Sequence, residues 1–281
     1  MTETAAPVAC IIGWPVKHSR SPVIHRFWLK ELGLPGDYVI QPVEPDRVEA
    51  FLHSFSTSGY VGGNVTVPHK EAAFAAVADM DAAARTIGAV NTLWMEGDRL
   101  RGANTDAYGF LANLDERAPG WDRSGGEGVV LGAGGAARAV VFALLARGLA
   151  PVHVVNRTAA RAETLAERFG KMVRPAGWDK LPGLLARARV LVNTTTLGME
   201  GQPPLAIDLT PLGGDALVTD IVYIPLATPL LAAAGKRGLP TVDGLGMLLH
   251  QAVPGFERWF GRRPAVTPAL RDAVLATMSG G

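Results

Sequence analysis

Cysteine and long apolar runs are scarce in this sequence, and each absence excludes a class of protein. Cys10 is the only cysteine in 281 residues, which excludes an internal disulfide and a cysteine-based zinc site and fits a reducing compartment. No apolar run reaches the roughly 18–20 residues that span a bilayer. The apolar stretch over residues 5–14 follows Glu3 and lacks a basic flank, so it predicts a buried strand rather than a signal peptide. We therefore expect a cytoplasmic protein with no membrane partner.

An excess of either charge is also missing. The chain has 27 basic and 26 acidic side chains and no basic run, so we expect no nucleic-acid partner. Its six histidines show no H-E-x-x-H or comparable ligand spacing, and no metal site is predicted. A G-x-S-x-G elbow and a Walker lysine are lacking too. With 48% hydrophobic and 19% charged residues, the chain can bury the core of one large or two modest domains.

Short apolar runs alternate with helical patterns along the chain, and this alternation predicts the α/β class. Continuous apolar runs indicate strands covered on both faces, as in a parallel sheet wrapped by helices. The predicted strands are 8–13, 37–43, 60–65, 89–95, 128–131, 151–156, 189–193 and 216–222, with a further signal at 239–242. The predicted helices are 22–32, 46–55, 105–117, 136–147, 159–169, 229–236, 245–260 and 268–278. The polar, glycine-rich segment 117–127 indicates a surface connection near the start of a second domain.

A glycine-rich turn after the apolar run 129–131 predicts a dinucleotide site. It reads Gly132, Ala133, Gly134, Gly135, Ala136 and Ala137, which fits the G-x-G-x-x-A fingerprint. Gly132 permits the tight turn, Gly134 lets the backbone approach a pyrophosphate, and Ala137 lets helix and strand pack closely. The helix that follows points its N-terminus at the phosphates. A strand before the turn and a helix after it favour this reading over a simple tight turn.

The next strand favours NADP(H) over NAD. An NAD enzyme places an acid about 20 residues after the turn, to bind the ribose 2′-hydroxyl. Here the strand leads instead into Asn156, Arg157 and Thr158, with Arg161 one turn later. A guanidinium attracts a 2′-phosphate. An arginine near a helix N-terminus also opposes the helix dipole, so a bound anion explains its position better than a solvated surface charge does.

Polar residues collect in four segments at predicted strand–helix junctions, where open α/β folds bind ligands. The segments are 13–22, 63–70, 87–92 and 102–106. Ser21 precedes Pro22 and is predicted to cap a helix, and hydroxyls with free backbone N–H groups there suit a carboxylate. Lys70 enters a helix in its first turn, which is unfavourable unless an anionic or reactive group lies nearby. Taken singly, Ser21 is better explained as a helix cap and Lys70 as a solvated surface charge.

Together, the four segments resemble the motifs of the shikimate dehydrogenases, which read His-Ser-x-Ser-Pro, Asn-Val-Thr-x-Pro-x-Lys, Gly-Ala-Val-Asn-Thr and Asn-Thr-Asp. The resemblance continues in the glycine turn, in residues 156–158, in 220–225 and in 244–251. The matches run in order from residue 13 to residue 251, so the set is far more specific than any one motif. One departure is Arg26 after His25, where members often carry Asn; no function is assigned to it.

The resemblance implies reversible NADPH-linked reduction of 3-dehydroshikimate to shikimate, a step towards chorismate and the aromatic amino acids. It implies a catalytic pair, Lys70 and Asp106, that meets across one pocket. A ketone reduction needs a hydride donor and a proton donor, and Lys70 is the first choice for the proton, although two coupled groups titrate as a pair. The resemblance assigns the substrate carboxylate to Ser19 and Ser21 with Thr66 close by, the ring hydroxyls to Asn91, Asp106 and Gln251, a substrate contact to Tyr223, and the nicotinamide to Gly244 and Met247.

The expected architecture is two α/β domains with a cleft between them. Residues 1–106 with 244–281 would form the substrate domain, and 107–243 a Rossmann-like NADP-binding domain with a parallel sheet. One alternative is a quinate/shikimate dehydrogenase that uses NAD; Arg157 and Arg161 favour NADP, and the two serines favour shikimate. Another is a non-catalytic sensor of quinate or shikimate. The presence of both Lys70 and Asp106 argues against this alternative. The oligomeric state stays open between monomer and homodimer.

Overall fold

The computed structural model describes residues 6–278, and the predicted α/β class is confirmed. The chain divides into two compact units, Met1–Thr105 with Leu249–Gly281, and Asp106–Leu248, here called the first and second unit. The sequence predicts divisions after residue 106 and before residue 244, so the structure moves Asp106 and residues 244–248 into the second unit. Gly244 belongs there because it packs directly on the backbone of Asp220 and Ile221.

The elements of each unit alternate as expected for this class. The strands of the first unit are β1 (Val8–Gly13), β2 (Asp37–Pro42), β3 (Gly62–Val65), β4 (Asp79–Met80), β5 (Thr92–Glu96) and β6 (Arg99–Ala103). Its helices are α1 (Ser21–Leu32), α2 (Val48–His53), α3 (Lys70–Ala76) and α4 (Ala82–Ile87), with most of α10 (Leu245–Phe260) and all of α11 (Pro268–Ala276).

The second unit holds strands β7 (Gly126–Leu131), β8 (Leu149–Val155), β9 (Val173–Ala176), β10 (Ala188–Asn193), β11 (Leu217–Asp220) and β12 (Thr241–Val242). Its helices are α5 (Asp106–Arg117), α6 (Gly135–Ala146), α7 (Ala159–Phe169), α8 (Leu181–Leu185) and α9 (Pro229–Lys236). Short 3₁₀ helices occur at Phe55–Thr57, Gly170–Met172 and Trp178–Lys180.

The sheet of the first unit is mixed, with parallel and antiparallel pairs. Its strand order is β2-β1-β3-β5-β6-β4, and β5 runs antiparallel to both neighbours. A two-residue turn with Gly97 at φ +61° joins β5 to β6, as a tight hairpin requires. The sequence prediction missed β6 because it is polar. Arg101 on this strand pairs with Asp79 at 2.7 Å and with Glu96 at 3.0 Å.

The C-terminal helices pack on the first unit through two buried tryptophans. The Nε1 of Trp259 on α10 donates to the Leu93 carbonyl at 2.9 Å. The Nε1 of Trp28 on α1 donates to the Ala265 carbonyl at 2.8 Å, just before α11. Both indoles are nearly fully buried, and a buried indole N–H requires such a partner. These bonds tie residues from the two ends of the chain into one core.

The sheet of the second unit is fully parallel. Its order is β12-β11-β10-β7-β8-β9. The first strand of the unit, β7, therefore lies in the middle of the sheet, with β8 and β9 on one side and the later strands β10, β11 and β12 on the other. This is the order of the dinucleotide-binding Rossmann fold, in which the ligand binds where the order reverses. The reversal lies between β7 and β10, and the glycine turn follows β7 directly.

Candidate active site

The four polar segments, apart from Asp106, converge at one edge of the first unit's sheet. The parallel strands β2, β1 and β3 end there together, because Gly13 pairs with Pro42 and Ile12 with Val65. The antiparallel β5 begins at this edge, since its first residue Thr92 lies opposite Asn64. Strand β6 ends at the same edge, one step before residues 104–106. Sequence reasoning placed Asn91 inside a strand; it lies just before β5, and the reversed direction of β5 brings it to this edge.

The first segment forms a tight turn before α1, in which Ser19 rather than Ser21 supplies the side-chain bond. The prediction that Ser21 caps this helix is wrong, because α1 begins at Ser21 and its N-cap residue Arg20 makes no side-chain bond. The backbone N–H of Ser21 donates to the Ser19 Oγ at 3.2 Å. The hydroxyl of the buried Ser21 lies beside that of Tyr38. Ser19 is half-buried, and the two hydroxyls are close in the chain and in space.

The second segment joins β3 to α3 and carries Thr66 and Lys70. The Thr66 carbonyl accepts from the His69 N–H at 3.0 Å, and Lys70 begins α3 as predicted. The His69 ring donates from Nε2 to the Val43 carbonyl at 2.6 Å, which gives this buried histidine a structural role. The Lys70 carbonyl accepts from the Val90 N–H at 3.0 Å. The backbone of Lys70 is thus fixed to the third segment, and both Thr66 and Lys70 are half-buried.

The buried amide of Asn91 is held at both ends. Its Nδ2 donates to the Thr105 Oγ1 at 3.0 Å and to the Gln251 Oε1 at 3.2 Å. Its Oδ1 accepts from the Thr105 N–H at 2.8 Å and from the Thr92 hydroxyl at 3.0 Å. The structure therefore brings together Asn91 and Gln251, which lie 160 positions apart in the chain, as two of the predicted substrate residues.

A buried hydrogen-bond chain connects this amide to Tyr38, through residues that sequence reasoning did not assign. The hydroxyl of the fully buried Tyr38 donates to the Asn64 Oδ1 at 2.7 Å. The Asn64 Nδ2 donates to the Asn91 carbonyl and to the Thr92 Oγ1, both at 3.2 Å. Burial raises the pKa of Tyr38 well above its usual range, so the hydroxyl remains a donor. From Tyr38 to Asn91 the polar groups form one network, here called the edge network.

The second unit carries the remaining predicted residues. Asp106 is buried at the start of α5. Tyr223 is half-buried in a loop fixed by the buried Asp220, which accepts from the Asn193 Nδ2 at 3.0 Å and the Thr228 Oγ1 at 2.8 Å. Burial raises the pKa of Asp220, and its hydrogen bonds oppose that shift.

Gly244 and Met247 lie at the end of the same unit. Gly244 is buried, and a Cβ there would collide with the Ile221 carbonyl. Met247 is half-buried in the first turn of α10. The side chain of Asn113 anchors this segment by donating to the Asp243 carbonyl at 2.7 Å.

The glycine turn has the geometry that a dinucleotide phosphate needs. Gly132 adopts φ +101°, and a Cβ there would lie 2.9 Å from the Thr194 Oγ1, so only glycine fits. Gly134 and Gly135 have open space where a Cβ would project. Helix α6 begins without a side-chain cap or an acidic residue in its first turn, so its N–H groups are available to an anion. A cavity of about 340 Å³ lies beside the turn and is lined by Ala133, Gly134, Gly135, Arg138, Arg161, Thr164 and Leu165.

The residues after β8 surround this cavity only in part. Arg161 on α7 lines it, whereas Asn156, Arg157 and Thr158 do not. The Asn156 Nδ2 donates to the Thr158 carbonyl at 2.8 Å and shapes the turn before α7. Arg157 is exposed. The residue that sequence reasoning missed is Arg138, on the helix that follows the glycine turn.

Within residues 6–278, no three His, Cys, Asp or Glu side chains are grouped so that they could hold a metal ion. No helix in that range combines the length and the apolar character needed to cross a membrane.

The parallel Rossmann sheet with its glycine turn, and the polar edge of the first unit, define a dinucleotide-dependent α/β oxidoreductase of a small polar substrate. Residues 11–93 match the family model of the shikimate dehydrogenase substrate binding domain, 121–198 that of shikimate/quinate 5-dehydrogenase, and 244–275 that of the shikimate 5′-dehydrogenase C-terminal domain. A curated shikimate dehydrogenase (NADP(+)) of Azorhizobium caulinodans is 59% identical over 269 residues, 96% of each chain. The chain belongs to the shikimate dehydrogenase family, and the predicted family is confirmed.

Solved structures of two relatives share the whole fold. The shikimate 5-dehydrogenase of Thermus thermophilus, in complex with NADP(H) and shikimate, is 37% identical with a TM-score of 0.84, covering 96% of this chain and 99% of that one. The quinate dehydrogenase of Corynebacterium glutamicum, in complex with NAD, is 29% identical with a TM-score of 0.88, covering 97% and 99%. One of these relatives is thus in complex with NADP(H) and the other with NAD.

Proposed function

We propose that the protein is an NADP-dependent oxidoreductase acting on a CH–OH group, a shikimate dehydrogenase that interconverts 3-dehydroshikimate and shikimate. The observation that carries this proposal is the convergence of four polar segments at one sheet edge, with Asn91 and Gln251 hydrogen-bonded there. A ring bearing one carboxylate and several oxygens matches a pocket of hydroxyls and amides better than an apolar ketone would. The curated relatives, named as NADP(+) enzymes, support both the reaction and the cofactor.

The substrate is held by groups of fixed position. Ser19 and Ser21 bind the carboxylate, with Thr66 beside them, and the ring hydroxyls contact Asn91 and Gln251. Tyr223 adds a contact from the second unit. The Ser19–Ser21 turn and the edge network support these roles, because both are already ordered by hydrogen bonds within the chain. Groups ordered in advance bind without a further cost in conformational entropy.

Lys70 and Asp106 carry the proton chemistry. In reduction, the ketone oxygen gains negative charge as hydride reaches its carbon, and the Lys70 ammonium donates the proton that completes the alcohol. In the reverse direction the neutral amine takes that proton back. Asp106 is proposed to accept a hydrogen bond from the reacting hydroxyl and so to orient it for proton transfer. Its place is supported by Thr105, the preceding residue, which is bonded to Asn91 at the sheet edge.

NADP(H) fits the second unit and supplies the hydride when bound. The N–H groups of the turn at Gly132, Ala133, Gly134, Gly135 and Ala136 would hold the pyrophosphate. Asn156, Arg157, Thr158 and Arg161 would hold the adenosine 2′-phosphate, while Gly244 and Met247 would lie against the nicotinamide. The open space at Gly134 and Gly135 and the uncapped start of α6 support this assignment.

Replacing Lys70 with methionine tests the proposal, because methionine keeps most of the side-chain length and removes the charge. We expect kcat for NADP-linked shikimate oxidation, followed by NADPH absorbance, to fall by about 10²- to 10⁴-fold. NADP⁺ binding, measured by calorimetry, should stay at the parent value. Lys30→Met on the exposed end of α1 is the matched control and should leave kcat unchanged. A Lys70→Met variant that turns over shikimate at the parent rate would refute the assigned role.

The same assay separates the alternatives. A quinate/shikimate dehydrogenase using NAD would show a higher kcat/KM with quinate and NAD⁺ than with shikimate and NADP⁺. A non-catalytic sensor would bind shikimate while its turnover stayed at background. Our proposal requires the shikimate and NADP⁺ pair to give the highest kcat/KM, which is the measure of specificity.

We further propose a cytoplasmic enzyme, monomeric or homodimeric. The single cysteine, Cys10, is buried and fits a reducing compartment, where the proposed cofactor also functions. Light scattering coupled to size-exclusion chromatography would distinguish a mass near 29.6 kDa from twice that value. A larger assembly would contradict the proposal.

A further inference from the structure

The cavity beside the glycine turn presents two arginines from two different helices. Arg138 lies in the second turn of α6, and Arg161 in the first turn of α7. Both line the cavity of about 340 Å³, together with Thr164. Arg138 is half-buried and Arg161 is exposed, so the cavity is lined by one partly sheltered and one exposed cation.

The electrostatic character of this cavity is positive. None of its described lining residues is acidic, and the first turns of α6 and α7 contain no acid. Two guanidinium groups beside the N-termini of two helices add like charges and helix dipoles of the same sign. Such a site favours a dianion, and planar guanidinium groups match a phosphate monoester by paired N–H donors.

The position of the cavity indicates which phosphate it takes. In this topology the pyrophosphate lies against the glycine turn, and the adenosine ribose lies towards the end of the second strand, here β8. The cavity extends from Gly134 and Gly135 towards α7, the helix after β8. A phosphate on the 2′-oxygen of that ribose would point into it. Arg157, which the sequence places at the end of β8, is not among the lining residues.

We propose that Arg138 is a determinant of NADP selectivity, holding the ribose 2′-phosphate from the α6 side while Arg161 holds it from the α7 side. This inference rests on the proposed function, because it requires the nucleotide to be NADP(H). It places a selectivity residue on the helix of the glycine fingerprint, six residues after Gly132, rather than only on the segment after the second strand.

The test compares two nucleotides that differ only in the 2′-phosphate. Binding of adenosine 2′,5′-bisphosphate and of adenosine 5′-monophosphate is measured by calorimetry on the parent, Arg138→Ala and Arg138→Lys. We expect Arg138→Ala to weaken the bisphosphate by about 10- to 100-fold, the range for a hydrogen bond to a charged group, and the monophosphate by less than about twofold. Arg138→Lys should fall between, since it keeps the charge and loses the planar donors. Arg168→Ala, on the exposed last turn of α7, is the control and should bind both as the parent does.

The outcomes separate this inference from the proposed function. If the parent shows no preference for the bisphosphate, the proposal of NADP as cofactor is wrong. If the parent prefers the bisphosphate and Arg138→Ala keeps that preference unchanged, only the role of Arg138 is wrong. An equal loss of both nucleotides would also overturn it, because Arg138 would then act on the shared part of the ligand or on the fold, as a parallel thermal denaturation would reveal.

Discussion

His25 makes the first unit sensitive to acid, and the size of the effect follows from its surroundings. The imidazole is fully buried on α1, stacked on Tyr38 at 4.0 Å and bordered by Trp28, Phe256 and Trp259 at 5.4 to 5.9 Å between ring centres. Neither ring nitrogen has a hydrogen-bond partner. Burial lowers the pKa of His25 to about 3, from an ordinary value of 6.5, and the nearby Asn64 side chain opposes this shift only weakly because it is outside bonding geometry. The ring is therefore neutral in the folded protein.

The sign of the pH effect follows directly. Below the ordinary pKa of 6.5 the unfolded chain takes up a proton at His25, whereas the folded chain does not until about pH 3. The contribution of His25 to stability is thus complete above pH 6.5 and declines as the pH falls. Each pH unit below 6.5 lowers the free energy of unfolding by about 1.4 kcal/mol. At pH 5 the loss is about 2 kcal/mol, a large fraction of the roughly 5–15 kcal/mol by which proteins are stable.

His25→Phe tests this reasoning, because phenylalanine fills the aromatic pocket and has no proton to gain. The free energy of unfolding is measured in urea at pH 7, 6 and 5, by circular dichroism. Any packing change contributes equally at every pH, so the diagnostic quantity is the difference between variant and parent, which should shift by about 2 kcal/mol in favour of the variant between pH 7 and pH 5. His53→Phe, at an exposed position on α2, should leave the parent's pH dependence intact. Parallel curves for the parent and His25→Phe would refute the argument.

Two further substitutions probe the packing around the proposed sites. Tyr38→Phe removes the 2.7 Å bond to the buried Asn64 Oδ1, and we expect it to lower the urea-derived free energy of unfolding by about 1–3 kcal/mol. It should also raise KM for shikimate without changing NADP⁺ binding. An unchanged KM would show that the edge network does not contribute to substrate binding. Gly244→Ala places a Cβ against the Ile221 carbonyl, and we expect a loss of about 1–3 kcal/mol from overpacking, measured as a lower Tm. Gly183→Ala on α8 meets open space and should be neutral or stabilising by up to about 1 kcal/mol, so equal effects at the two glycines would contradict the packing argument.

Sequence reasoning was most successful in the second unit. Strands β7, β8, β10 and β11 are buried and nearly continuously apolar, and the glycine turn after β7 has a specific signature, so pattern and structure agree. It missed β9, whose central residues Arg174 and Pro175 are exposed. A four-residue strand beside only one neighbour needs little apolar sequence, because it buries little surface.

The first unit was harder to predict because its sheet changes direction. A two-residue turn at Gly97 and Asp98 was the available signal for the β5–β6 hairpin. Without that hairpin, sequence reasoning could not place Asn91 and residues 104–106 at the same edge as Lys70. The departure at Arg26 now has a structural account, since its guanidinium pairs with Asp37 at 2.7 Å on the surface.

The predicted site residues were those with polar groups in recognisable motifs, and the ones missed were those that orient them. Tyr38 lies in an alternating strand, where its sequence context is that of a core aromatic residue. Its hydroxyl matters because the sheet register places Asn64 within reach, and register is a property of the fold rather than of a local pattern. Arg138 was missed for a similar reason, because only the packing of α6 against α7 brings it to the cavity.

The bonding of Asn91 restricts how a substrate hydroxyl can bind in the first unit. Both hydrogens of its Nδ2 are used within the chain, one by the Thr105 Oγ1 and one by the Gln251 Oε1. The bond to Thr105 is buried, whereas Gln251 is half-buried on α10 and its bond is the longer, at 3.2 Å. A hydroxyl that accepts from Asn91 in place of the Gln251 oxygen can donate its own proton to that oxygen. Asn91 and Gln251 would thereby recognise one hydroxyl group together, because a ligand without that proton would leave the Gln251 acceptor unsatisfied.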